Sequence, residues 1–176
     1  HIDLKSLKKG GCDIQFFACF IDAEAEACDL GDELWESAWK SANRRIDVYE
    51  REIRNNEAMI GQARCAADID ANMRNRKISA LLTIEEGGII HGDLKRLQKL
   101  YDRGVRLITL TWNYENCLGF PNSTDVERMQ LGLKPFGFEA IEEMQRLGMI
   151  VDVSHLSDGG FWDVAAVSER KGIPFV

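Results

Sequence analysis

Residues 97–111 read LQKLYDRGVRLITLT, and this stretch decides the fold class. A helix from Asp93 to Asp102 gives way at Gly104, and the branched, apolar run Val105 to Thr111 follows as a strand. The same grammar recurs downstream. A helix from Pro135 to Leu147 reaches Gly148 and the strand Met149 to Val153, and a helix from Gly160 to Glu169 reaches Gly172 and a strand beginning at Ile173. A glycine closing a helix one residue before an apolar run is a C-cap feeding a strand. Pro135 stands where a first-turn proline belongs.

Working back from there, Ile78 to Ile84 is a further strand. A shorter helix is expected over Ala63 to Arg74, and a long one from Glu33 to about Asn56, with Leu34, Ala38, Ile46, Tyr49 and Ile53 on one face. The first strand is the nearly continuous apolar run Cys12 to Ile21 after Gly10-Gly11, expected to be buried on both faces. Strands alternating with helices require parallel pairing and right-handed crossovers, so the class is α/β. An open dinucleotide-binding sheet would want a glycine-rich turn after its first strand, and no such motif occurs. A parallel (β/α) TIM-type barrel is therefore favoured. A complete barrel takes about 250 residues, so residues 1–176 read as a single domain forming the N-terminal and central part of one.

The composition, 45% apolar and 29% charged, is that of an ordinary globular protein. A net charge of -7 disfavours nucleic acid as a partner. No apolar run approaches the roughly 20 residues of a membrane span, and no membrane partner is expected. The acidic stretch Asp22, Glu24, Glu26, Asp29, Asp32, Glu33, Glu36 lacks the EF-hand pattern and reads as a solvated face or loop. Five cysteines without CxxC spacing (Cys12, Cys19, Cys28, Cys65, Cys117) suggest free thiols in a reducing, cytoplasmic setting. The start on His1 and the apolar run Ile173-Pro174-Phe175-Val176 are those expected of part of a longer polypeptide.

In a parallel barrel the chemistry sits at the C-terminal ends of the strands. The residues closing the apolar runs are Glu85-Glu86-Gly87-Gly88, Thr111-Trp112-Asn113-Tyr114 and Asp152-Val153-Ser154-His155. Alternation places Thr83 and Leu81 on the inward face with Glu85, and Val153 and Val151 with an inward His155. A carboxylate and an imidazole on two strand ends can share a divalent ion such as zinc, although about three protein ligands make a catalytic site. By itself a strand-end histidine is more often hydrogen-bonded structure than a ligand, and the Glu-Glu-Gly-Gly corner is similarly open to a plain turn reading. His1 and Asp3 have a metal-binding spacing but lie in a polar, basic segment before the first strand, which assigns them to a surface loop; His91 is read as a loop contact.

Taken in order, His1 to Gly11 running into Gln15-Phe16-Phe17, Leu81 to Gly88, Gly104 to Thr111, Leu133 to Gly137 and Gly148 to His155 resemble the membrane dipeptidase (renal dipeptidase) family, particularly its bacterial members. The resemblance implies a (β/α) barrel with two zinc ions that hydrolyses dipeptides bearing a free C-terminal carboxylate. Glu85 matches the carboxylate bridging both ions, and His155 matches a histidine ligand of one. The family's His-x-Asp pair precedes the part corresponding to His1, its second metal histidine falls shortly after Val176, and its substrate-engaging arginine and aspartate lie further on. Trp112 stands where better-known members carry a substrate-contacting histidine, so Trp112 and Asn113 are expected at the substrate. The resulting expectation is a zinc metallo-dipeptidase, possible as a homo-oligomer, with this stretch alone inactive for want of ligands. The alternatives are a non-catalytic barrel fragment, or a related amidohydrolase acting on another amide or lactam.

Overall fold

In the computed structural model, residues 2–23 and 32–176 are described; His1, Cys28, and the acidic residues Glu24, Glu26 and Asp29 lie outside them. The first element is α1 (Leu4–Lys9), where a loop was expected. The Asp3 side chain caps it by accepting from Ser6 N at 2.7 Å, and Leu4 and Leu7 pack against the core. Six residues are too few for a helical period to emerge from a basic sequence.

Then come β1 (Ile14–Phe20), α2 (Asp32–Asn55), β2 (Ile60–Gln62), α3 (Ala66–Arg74), β3 (Ile78–Glu85), α4 (Leu94–Asp102) and β4 (Val105–Thr109). The chain continues through α5 (Val126–Met129), α6 (Pro135–Leu147), β5 (Ile150–Asp152) and α7 (Asp158–Lys171). Gly148 and Gly172 cap α6 and α7 with φ of +76° and +66°, and Gly104 before β4 has φ +98°. All three are the left-handed glycines on which the helix-to-strand grammar depends.

Every strand pairing is parallel, and the order β1-β3-β4-β5 places consecutive crossovers side by side, with β2 against the start of β3. The strand expected from Ile173 begins beside β5, since Val176 N donates to Val151 O at 3.0 Å and Val153 N donates to Val176 O at 2.8 Å. The class is α/β as read, and the sheet is open among the described residues.

The core lies between sheet and helices. Ile78, Ala80, Leu82 and Ile84 of β3 are at most 3% exposed and meet Ile46 of α2, Leu97 and Leu100 of α4, and Ile141 of α6 in one apolar cluster. The opposite face carries the register rows Phe16–Leu81, Ala18–Thr83–Leu107 and Phe20–Glu85–Thr109. β1 is not buried on both faces: Ile14 and Phe16 are 42% and 47% exposed. They lie on the inner face of an arc that no further described strand closes. Alternation therefore divides β1 into a helix-facing row, with Phe17 against Tyr49 and buried Cys19, and an open row.

Candidate metal centre at the strand ends

The strands deliver their terminal residues to one edge of the sheet. Glu85 closes β3, opposite Phe20 of β1 and Thr109 of β4. His155 follows β5 by three residues and brings its Nε2 to 3.7 Å from Glu85 Oε1. Both side chains are partly open, at 37% for His155 and 29% for Glu85. The two residues singled out at separate strand ends thus face one another.

The inward path to His155 differs from simple alternation. Asp152, not Val151 or Val153, shares the Glu85 face, because Thr109 is the register partner of both Glu85 and Asp152. Val151 packs in the core beside Ile108. β5 stops at Asp152, and alternation holds only while the chain stays extended. His155 itself has φ +66°, so a turn rather than a strand aims its imidazole.

The corner after Glu85 is built from close approach. Glu86 has φ +99° and is fully buried. Its carboxylate accepts from Asn116 Nδ2 at 2.6 Å, Gly88 N at 2.8 Å and Trp112 N at 3.2 Å, fastening the end of β3 to the loop after β4. Burial pushes its pKa up, while the bonds from Asn116, Gly88 and Trp112 pull it down, and burial dominates. A Cβ on Gly87 would lie 2.7 Å from Leu118 Cδ1 and 2.9 Å from the Leu110 carbonyl, and one on Gly88 would overlap the Trp35 ring. The Glu-Glu-Gly-Gly corner therefore needs its glycines for room.

Trp112 lies edge-on to Phe20 at 4.7 Å between ring centroids and to Tyr114 at 5.9 Å. Phe20 is the register partner of Glu85, so this aromatic group borders the carboxylate. Asn113 is exposed on the same loop. His91 stacks on Trp35 and pairs with Asp32 at 3.3 Å, the loop contact read for it, and Asp3 is the helix cap described above.

No group of three or more His, Cys, Asp or Glu residues that would hold a metal occurs among the described residues. Two donors do converge, and their chemistry fits zinc. With Zn–N and Zn–O bonds of about 2.1 Å, two ligands of one tetrahedral ion lie about 3.4 Å apart, close to the separation of Glu85 and His155. Sequence reading named Asp152 only as a residue closing its apolar run and missed Thr109 and Asn116; the three fix the backbone around Glu85 and His155, and the polar side chain of Thr109 at the end of β4 was the available signal.

Comparison with known proteins identifies the family and the fold. A dipeptidase of Schizosaccharomyces pombe described as uncharacterized is 32% identical over 181 residues, covering 98% of this chain and 42% of its own. Dipeptidase tcpJ of Claviceps purpurea is 27% identical over 168 residues, covering 96% and 39%. The chain thus spans about two fifths of the length of these relatives. Among solved structures, the probable dipeptidase PvdM from Pseudomonas aeruginosa superposes with a TM-score of 0.82 at 23% identity, over 94% of this chain and 42% of that one. A metallo peptidase from Rhodobacter sphaeroides, liganded with a phosphinate mimic of the dipeptide L-Ala-D-Ala, gives 0.72 at 24% identity, over 94% and 53%. These likenesses show a shared fold. The sequence profile described as membrane dipeptidase (peptidase family M19) matches residues 1–171, and the chain therefore belongs to the membrane dipeptidase family.

Proposed function

We propose that this chain supplies part of the active site of a zinc-dependent dipeptidase, with Glu85 as the carboxylate bridging two ions and His155 as a ligand of one. The observation that carries the reading is the convergence of Glu85 Oε1 and His155 Nε2 at 3.7 Å on the end of a parallel sheet. Carboxylate oxygen and neutral imidazole are both good zinc donors, and an anion between two cations offsets their repulsion. When bound, the ions supply an activated water and polarise the scissile carbonyl. The remaining ligands, and the groups that grip the substrate's C-terminal carboxylate, belong to polypeptide outside the described residues. Trp112, with Phe20 beside it, forms an apolar wall for the dipeptide rather than a hydrogen-bonding contact.

The test is zinc content and dipeptide hydrolysis of the complete protein, with Glu85→Ala and His155→Ala beside wild type. Wild type should hold close to two zinc ions, and each variant should lose metal and roughly 100-fold or more in activity. Variants that retain wild-type zinc and turnover would assign both residues a structural role.

A further inference from the structure

His155 is reached by a turn, and a non-glycine residue at φ +66° keeps that conformation only where its surroundings impose it. The imposing group on the near side is Asp152. Its Oδ1 accepts from Ser154 N at 2.9 Å and from Ser154 Oγ at 2.7 Å, which closes the turn between the end of β5 and the histidine. Its Oδ2 accepts from Thr109 Oγ1 at 2.5 Å, which ties the same turn to β4. Thr109 is paired with Glu85 on its other side, so Glu85, Thr109 and Asp152 form one row across three strands. On the far side, the His155 carbonyl accepts from Asn122 N at 2.7 Å and from Thr111 Oγ1 at 3.3 Å. One carboxylate thus spans the space between the strand that neighbours Glu85 and the turn that carries His155.

We propose that Asp152 is a positioning residue for the His155 imidazole, holding it toward Glu85 so that the two can share a divalent cation. The inference rests on the zinc reading above and concerns a residue that touches neither the ion nor the imidazole. Its effect passes through the backbone of Ser154, and loss of the carboxylate frees the turn to rotate the ring away.

The test uses the complete protein and two probes, zinc affinity by competition with a chromophoric chelator and the visible spectrum of the cobalt(II)-loaded form. Outer partners of metal ligands typically contribute 10- to 100-fold in metal affinity. Asp152→Asn keeps the size but cannot accept at both ends as the carboxylate does; it should weaken zinc binding by about 10- to 100-fold and shift the cobalt bands at saturation. Ser154→Ala, on an exposed side chain, should weaken zinc in the same direction without moving the thermal midpoint of the metal-free protein. It decides the matter if Asp152→Asn does not fold. The double variant should bind no worse than Asp152→Asn, since both act through one turn. Unchanged zinc affinity and cobalt spectrum in the folded single variants would overturn the positioning role. Absence of zinc from wild type would overturn the metal site itself and this role with it, and it is seen before any variant is made.

Discussion

Glu85 and His155 were legible at the residue scale because each is the polar residue that closes an apolar run, and resemblance gave them roles. Their 3.7 Å approach was not legible, because it depends on a left-handed histidine in a stretch with no glycine to announce it. Glu86 was hidden for a related reason: two adjacent glutamates look alike in sequence, yet Glu85 opens to the sheet end while Glu86 turns at φ +99° into the interior. There it serves three donors, from Asn116, Gly88 and Trp112. Removing a buried acceptor leaves each donor with an unmet desolvation cost. Glu86→Ala should therefore lower stability by about 3 kcal/mol in urea unfolding. Glu86→Gln should cost less, about 1 kcal/mol, because it keeps the volume and one acceptor. A Glu86→Ala midpoint equal to wild type would mean that the corner holds without the carboxylate.

At the scale of elements, the glycine-to-strand grammar placed α4, α6 and α7 and the strands after them, with Val176 already bonded beside β5. The elements that escaped, α1, β2 and α5, have six, three and four residues, too short for any period to register. What docks the long α2 was also invisible, since it links residues far apart in the chain. Arg103, just after α4, reaches Asp47 at 2.6 Å, Glu50 at 3.1 Å and the Asn43 side chain at 3.1 Å. These three partners recur at the spacing of a single helix face. Arg96 adds a pair with Glu36 and sits over the Trp39 ring. The Arg103 side chain is 25% exposed, so solvent discounts the ion pairs. Arg103→Ala should still cost about 1–2 kcal/mol, and Arg103→Lys should recover less than half of it, because a point charge cannot replace a fork that meets three partners. An unchanged unfolding midpoint for Arg103→Ala would show that apolar packing alone seats α2.

For the whole molecule, the α/β class followed from alternation, and a barrel was the expectation drawn from the absence of a nucleotide-binding turn; the sheet is open among the described residues. Whether an arc closes depends on strands that must come from elsewhere in the polypeptide. In this structure β1 carries the consequence. Its outer edge has no strand partner among the described residues, and its inner row presents Ile14 and Phe16 at 42% and 47% exposure. Beside it a cavity of about 970 Å³ opens between α1, β1 and α2, lined by Phe17, Tyr49 and Ile53. The strand sequence IQFFACF contains neither charge nor proline, the devices that usually keep an unpaired edge from recruiting another. Seven uncharged residues of high strand propensity are also the composition of stacking segments. The chain of 176 residues by itself should therefore self-associate, and light scattering at tens of micromolar should return a mass above 19.9 kDa. Phe16→Lys, which places a charge on the open row, should shift the population toward monomer without disturbing the core on the opposite face. A stable 19.9 kDa monomer at every concentration would mean that the arc curls enough to shield its own edge, and Phe16→Lys would then leave the mass unchanged.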